Sequence, residues 1–559
     1  MKFESINIKN FRNFEEIVVD LSNKNIFIGL NDVGKTNFLY AIRFLFDKEI
    51  RKNNCLDSDF YKKNTDKPIE IMVTIDISEP ENKDNQKLRA KLKGALLSTH
   101  TKVYIKLIAE FEKKEMLAIP ELFWGGDLKN LVAMKPRGYM YEIDYVCNVI
   151  YIDSYVDLNK LFKKNIGKLV KNVDSDKTIL DEIENTVSSL NEKISSLSGV
   201  RNFEQKITPE YQKYRNEKVA ISVKSEIAVK GLYSNVVPYI RNEESIELYP
   251  TSGEGRKKLL AYSIFELLAE ETEESKINIF LIEEPENHLH KSMQIALSRI
   301  IFNDDKFKYL FVSTHSPYIL YEMDKANIVR IFNDTKIDSE SVFYKVPKEF
   351  ADNRKILNKG LTEAIFADRV LLVEGPSEEM LFDKVLTVID PYFEANGGFI
   401  LAVNGIGFKR YFEILDSLSI KNIIKTDNDL RKISSSGEYS CLGFSRVNNY
   451  IDKKYNLPTK PIADKSISSK RELYNQNVKN LDLIRADCDI YLSKVDLEND
   501  LDEFLHDSLS GYLGTENAVG YLQEAKHHHM VKLVNEISDE DCRKIYEHYN
   551  FACLKALVK

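Results

Sequence analysis

Residues 29–36 read GLNDVGKT, and few octets restrict a fold more. The pattern G-x-x-x-x-G-K-[ST] works where a strand delivers a glycine-bearing loop and a helix begins directly after it, so that backbone amides and the helix N-terminus face phosphate oxygens together. The flanks comply. Ile26 to Ile28 is a strand-like apolar run, while Phe38, Leu39, Ile42, Phe44 and Leu45 recur at helical spacing, predicting a strand over 25–28 and a helix over 36–46. Asn31, Asp32, Val33, Gly34, Lys35, Thr36 and Asn37 are the expected nucleotide contacts. Lys35 would neutralise the β and γ phosphates, and the Thr36 hydroxyl would be a magnesium ligand.

The rest of the first half extends this block. Alternating apolar segments at Phe3 to Ile8, Ile17 to Leu21, Ile69 to Ile77 and Val103 to Glu110 predict sheet to about residue 150. From 151 to 245 the composition is polar and helical. There Leu180, Ile183, Val187, Leu190, Ile194 and Leu197 follow at spacings of three and four, the seam of a short coiled coil or of an amphipathic helix packing on its own domain. A helical dimerisation insertion over 151–245 is expected, with strand–helix alternation returning over 246–345. With 559 residues and 43% hydrophobic side chains, two or three cores can be filled. A second α/β block is expected over 346–559, opening with the strand Val370 to Val373 and carrying a surface loop at 452–475.

Three further pieces in the first block suit a nucleotide. INIFLI is followed by Glu283 and Glu284, a Walker B-like strand end where Glu283 would hold the magnesium shell and Glu284 would position water. FLFVSTHSP places His315 just beyond another strand, within reach of a γ phosphate, although a histidine there is more often structural. SGEGRKK places Ser252 and Gly253 at a helix start. Phosphate loop, signature, Walker B and histidine loop in this order resemble the ABC-type ATPases, and IKNFRNF resembles the first strand of the SMC, RecF and OLD-like heads. That resemblance implies a dimer in which the signature completes a partner head's site. Glu-Glu in place of the usual Asp-Glu, and the lack of an evident glutamine loop, make nucleotide binding a safer expectation than rapid hydrolysis.

The second block concentrates carboxylates at strand ends. Glu374 leaves the strand RVLLV, with Glu378 and Glu379 entering a helix, and NIIKTDND ends in Asp427 and Asp429. Alternate residues share a face of a strand, so the two aspartates can face one site. Asp496 and Glu498 follow another apolar strand, and Lys526 lies further on. Oxygen donors of this number suit two hard cations, magnesium or manganese, one generating hydroxide and one stabilising the leaving oxygen, with Lys526 offsetting transition-state charge. His527, His528 and His529 are expected at the surface.

The Glu-Gly strand end with a D-x-D strand end resembles Toprim domains. An ABC-type head carrying a helical insertion, followed by a C-terminal Toprim domain, is the layout of the OLD-family nucleases, and the chain is identified as a member along its whole length. Phrases such as YPTSGEGR, LLVEGPSE, IIKTDNDL and VDLENDL are most similar to the nuclease subunit of Gabija anti-phage defence systems. The resemblance implies DNA nicking or cleavage restrained by nucleotide. It implies metal binding and catalysis by Glu374, Glu378, Asp427, Asp429, Asp496 and Glu498, with Lys526 as catalytic lysine. It also implies a homotetramer and a UvrD-like helicase partner, GajB.

The alternative is a SMC- or RecF-like repair ATPase whose Toprim block only binds DNA, but such machines carry long coiled coils. A topoisomerase would need a nucleophilic tyrosine in a DNA-gate domain, and a zinc-bearing primase would need clustered cysteines. Neither is found: the six cysteines are scattered, which also argues against a disulfide framework and for buried, reduced thiols. A formal charge of −8 is compatible with a local basic groove. No secretory signal and no long apolar run occur, so a cytoplasmic protein is expected.

Overall fold

The computed structural model describes residues 1–29, 33–92, 95–138, 140–169, 197–214, 218–225, 236–242, 248–250, 253–332, 340–344, 360–403 and 407–558. Its two compact units are Met1–Val346 and Pro347–Lys559.

The first unit holds two six-stranded sheets. One is antiparallel, in the order Phe14–Asp20, Lys2–Phe11, Ile69–Asp76, Lys102–Glu112, Leu117–Gly125, Val132–Ala133. The other runs Glu340–Tyr344, Asn327–Phe332, Lys24–Ile28, Leu310–Ser313, Ile277–Glu283, Cys147–Ile152, and all its pairs are parallel except the first. The helix Lys35–Phe46 touches strands of both. Nine of its twelve side chains are buried, including all four of its phenylalanine and isoleucine side chains, and a helix apolar on every side needs cover on every side. Phe38 stands between Phe14 of the antiparallel sheet (ring centroids 6.2 Å apart) and Phe27 of the parallel one (4.5 Å). Burying each such ring stabilises by about 1.5–3 kcal/mol.

The parallel register decides where the loops meet. Glu283 pairs with Ser313 and Ser313 with Phe27, so the chain leaves all three strands at the same edge. Gly29, Glu284 and His315 therefore start from one ledge although they are up to 286 residues apart.

The stretch predicted to be helical holds more than helices. Leu158–Leu169 and Ser198–Tyr214 are helical, but Val219–Ser225, Val236–Asn242 and Leu248–Pro250 form a three-stranded antiparallel sheet. Its first strand alternates, with Ile221 and Val223 buried, a period-two signal too short to stand out beside the polar helices. Leu180, Ile183, Val187, Leu190 and Ile194 of the expected seam lie outside the described residues.

Helix Ser198–Tyr214 packs against Glu254–Glu273, the helix that follows the signature, and Tyr214 donates its hydroxyl to fully buried Glu266. Burial, reinforced by Glu210, pushes Glu266 up to about 9. Its folded value thus lies above its unfolded one, so the folded chain keeps a proton that the unfolded chain releases, and stability falls as pH rises through 9. The unfolding temperature of this unit is expected to drop between pH 7 and 9, and Glu266→Gln to flatten that drop, as followed by calorimetry at a series of pH values.

The second unit is built on a four-stranded parallel sheet, ordered Gly398–Ala402, Arg369–Val373, Lys421–Thr426, Ile490–Leu492. The chain moves outward from Arg369–Val373 in both directions, which places a topological switch point between that strand and Lys421–Thr426. Helix Pro376–Ile389 packs on Lys526–Glu536 and Asp539–Glu547. The expected loop at 452–475 is partly helix: Ser466 caps Ile467–Gln476 by accepting from Ser469 N, so serines that read as loop residues serve as a helix start. All six cysteines are free, five of them buried, and burial pushes the Cys55 thiol up to about 12 and Cys553 to about 11.

Candidate functional site

The first unit presents a cavity of about 420 Å³ lined by Gly34, Lys35, Thr36, Asn37, Glu284, Ser313 and His315. Two glycines make the loop possible. Gly29 has φ 151°, and a Cβ there would lie 2.1 Å from Ile331 O; Gly34 has φ 108°, and a Cβ would lie 2.1 Å from Asn13 Nδ2. Lys35 is buried and donates to Gly29 O at 3.0 Å, so its ammonium lies along the loop. Thr36 is exposed at the cavity mouth. The Val33 side chain belongs to the core, and Asn37 is held by Asn13 (2.8 Å) and Arg12 (2.9 Å). Asn31, Asp32 and Ser252 lie outside the described residues, while Gly253 caps the helix Glu254–Glu273.

The two Walker B glutamates diverge. Glu283 is buried away from the cavity lining; desolvation pushes it up to about 7, opposed by a hydrogen bond with Tyr151, and its Oε1 has no hydrogen-bond partner among the described residues. Glu284 reaches the cavity, 3.7 Å from His315 Nε2, from a left-handed backbone of φ 41° that glutamate rarely adopts. Its carbonyl accepts from buried Lys258 at 2.7 Å, its amide donates to Ser313 O at 2.9 Å, and Asn287 donates to its Oε2 at 2.8 Å. Glu286 accepts from His315 N at 2.7 Å and Thr314 Oγ1 at 2.8 Å, fixing the histidine loop. Burial, then the Lys35 charge, lowers the His315 pKa, which favours a neutral imidazole. Arg12, Asn13, Lys258, Glu286 and Ser313 were not identified from sequence; Lys258 stands in the quoted SGEGRKK, but nothing local ties it to the Glu284 carbonyl.

In the second unit the acidic residues gather at the switch point, where an open α/β sheet binds its ligands. Glu374 Oε1 accepts from Thr426 Oγ1 at 2.7 Å and Asp427 N at 2.9 Å, and from Arg446. Glu378 returns to its own helix start, accepting from Gly375 N at 2.8 Å. Asp427 is buried and accepts from Ser493 Oγ at 3.1 Å. Asp496 caps helix Leu497–Leu513 through Asn499 N at 2.9 Å, and Glu498 is buried in the first turn. These two stand at a helix N-terminus rather than along a strand. Nor do Asp427 and Asp429 share a face: the strand ends at Thr426, so alternation lapses, and Asp429 stays partly exposed and joins the site through Arg446 NH2 at 3.1 Å. Lys526 begins a helix, and its side chain lies outside the described residues. His527 and His528 are exposed, while His529 stacks on Tyr521.

Desolvation first, then Glu374, pushes Glu378 up to about 8; burial, Glu378 and Glu374 push Asp427 up as well. Lys425, fully buried, sits 3.7 Å from Asp500 and donates to Asn550 O at 3.0 Å. Asp500 accepts from the amides of Lys494 and Val495, pinning the loop that carries Asp496. Lys425 and Asp500 were missed; a lysine interrupting NIIKTDND and a second aspartate one turn after Asp496 were their signals.

The donor set fits a hard divalent cation. It is all oxygen, Glu378 Oε1 is buried without a hydrogen-bond partner among the described residues, and clustered like charge raises two members. Among the described residues no three His, Cys, Asp or Glu side chains are grouped closely enough to hold one ion, and the Arg446 guanidinium lies between Glu374 and Asp429.

Residues 365–429 match the TOPRIM domain of overcoming lysogenization defect protein-like proteins, and 1–165 with 155–320 match the AAA ATPase domain. Endonuclease GajA of Bacillus cereus (strain VD045) is 44% identical, covering 100% of this chain and 99% of that protein. The Old nuclease of Escherichia phage P2 is 23% identical over 77% of each. Among solved structures, an Smc head domain with an extended coiled coil, bound to a ScpA domain derived from Pyrococcus furiosus, aligns at 13% identity and TM-score 0.39, covering 64% of this chain and 100% of that one.

Proposed function

This chain belongs to the OLD-family nucleases of the GajA type, and we propose that it is a divalent-metal-dependent DNA endonuclease of anti-phage defence, regulated by ATP bound to its head. The observation that carries the reading is a match to an endonuclease at 44% identity along the whole length, in a chain whose Glu374, Glu378 and Asp427 lie near enough at one switch point for the first two to raise the pKa of the third; Asp429, Asp496 and Glu498 complete the proposed set. These six carboxylates would hold Mg2+ or Mn2+. When bound, the metal would supply a water acidic enough to attack a phosphodiester and positive charge for the leaving oxygen. Thr426 and the Asp427 amide orient Glu374, Ser493 orients Asp427, and Asn499 orients Asp496. Lys526, at its helix start, would offset charge on the reacting phosphate.

In the head, Lys35 and the loop amides bind phosphates, Thr36 would be a magnesium ligand, and Glu284, its carbonyl held by Lys258, would orient water beside His315. Ser252 and Gly253 would complete the site of a second head. A homotetramer and a UvrD-like helicase partner, GajB, belong to the same reading. The reading as a repair ATPase that merely binds DNA gains no support from a full-length match to an endonuclease. Among the described residues no helix is long and apolar enough to cross a membrane.

The test is incubation of supercoiled plasmid with the full chain and Mg2+ or Mn2+, with and without ATP, and with a chelator. Metal-dependent nicking or linearisation that ATP suppresses is the expected result. Cutting that persists in excess chelator would refute metal dependence, and equal cutting with and without ATP would remove the head as regulator.

A further inference from the structure

In the second unit a cation that belongs to the chain already holds two members of the acidic cluster. From helix Leu442–Asn448, Arg446 donates to Glu374 and Thr426 through one guanidinium nitrogen and to Asp429 at 3.1 Å through another. The group also lines a cavity of about 310 Å³ with Glu374, Phe408, Lys409, Asn449 and Tyr450. It meets carboxylates on one side and opens to the cavity on another, keeping 21% of its side chain exposed.

Glu374 and Asp429 are two of the six carboxylates assigned to the metal. A metal–oxygen bond and an N–H···O bond draw on the same lone pairs, and two cations beside one carboxylate repel each other. Arginine and metal therefore compete at Glu374 and Asp429, whereas the structure gives Glu378 and Asp427 no bond to Arg446. A phosphodiester can take the guanidinium away, because its two free oxygens match the planar donor fork as a carboxylate does. The cavity that Arg446 shares with Lys409, an exposed lysine 3.6 Å from Glu413, is a place where such a phosphate meets a second cationic side chain beside the guanidinium.

We propose that Arg446 is an internal competitor for the catalytic cation, released from Glu374 and Asp429 when a DNA backbone phosphate takes its guanidinium, so that metal and DNA bind cooperatively. The inference rests on the reading of this unit as a metal-dependent DNA endonuclease. Linkage makes the effect reciprocal: DNA tightens metal binding by the factor by which metal tightens DNA binding. The cluster is thereby kept from loading metal fully before a substrate arrives.

Paramagnetic resonance of free Mn2+ reads the affinity directly in the nucleotide-free full chain. The parent, Arg446→Gln, Arg446→Lys and Glu374→Ala are compared, each with and without a duplex whose phosphorothioate linkages resist hydrolysis. Arg446→Gln is expected to bind Mn2+ about tenfold more tightly than the parent without DNA, the scale of one lost charge-assisted contact. The duplex is expected to tighten Mn2+ binding by the parent and to leave Arg446→Gln unchanged. Arg446→Lys keeps the charge but cannot bridge two carboxylates, so it should fall between them, and it carries the test if the glutamine variant does not fold. Mn2+ affinity no tighter than the parent's in correctly folded variants overturns the proposal, as does a parent indifferent to the duplex. If the parent shows no Mn2+ binding that depends on Glu374, the metal-dependent reading itself fails, and this proposal with it.

Discussion

Glu374→Ala is expected to lower metal-dependent plasmid cleavage by on the order of a thousandfold or more, the loss that follows when several kcal/mol of charge stabilisation at a phosphoryl centre are removed. Glu374 sits where the central strand of the second unit ends, and its Oε1 is shared by Thr426 Oγ1, Asp427 N and Arg446. Truncation removes a carboxylate proposed to hold the metal and also the acceptor that aligns the Asp427 backbone. Glu374→Gln separates these effects: it retains an acceptor but not the charge, so it should be nearly as inactive while restoring the local hydrogen bonds. The side chain is 27% exposed, so the fold should survive both changes, as circular dichroism and thermal unfolding would establish. A Glu374→Ala protein retaining more than about a tenth of the parent rate, less than 1.4 kcal/mol of barrier, would place the chemistry elsewhere.

Lys35→Ala is expected to weaken ATP binding roughly tenfold to 150-fold, since charge-assisted hydrogen bonds contribute about 1.5–3 kcal/mol. The ammonium now donates to Gly29 O, so it is already directed along the phosphate loop before a nucleotide arrives. Two measurements should move together. At the same ATP concentration the unfolding temperature of the parent should rise more than that of the variant, because stabilisation by a ligand that binds only the folded chain grows with concentration over Kd. Suppression of cleavage by ATP should need a correspondingly higher ATP concentration in the variant than in the parent. A variant that no longer binds ATP yet is still suppressed by it would show that ATP acts away from this loop. Lys35→Arg keeps the charge in a larger side chain and distinguishes loss of charge from damage to the loop.

Much of the candidate site was legible because its residues lie next to strong local patterns. GLNDVGKT fixes a strand, a loop and a helix within about twenty residues, and the observed Lys24–Ile28 and Lys35–Phe46 follow from an apolar run, two glycines and helical spacing. Glu374 and Asp427 were legible for the same reason, each closing a buried strand. The three-stranded sheet within 218–250 was not, since strand pairing depends on partners that a single alternating run does not reveal. The helix capped by Ser466 was missed because serine marks loops and helix starts alike.

By itself the sequence determined the chemistry available to this chain: a phosphate loop in one half, oxygen donors in the other, and apolar strands that had to end where those residues begin. The tertiary structure decided which of them meet. Parallel register brings Glu284 and His315 to the phosphate loop and buries Glu283 beside Tyr151. The switch point brings Glu374 to the Asp427 amide and admits Arg446, which no motif marks, while Lys425 meets Asp500 across 75 residues. The physical reason is range. Periodicity and motif spacing report interactions among near neighbours in the chain, whereas contacts across 72 residues, such as Arg446 with Glu374, exist only once the sheet has closed and burial has made each charge require a partner.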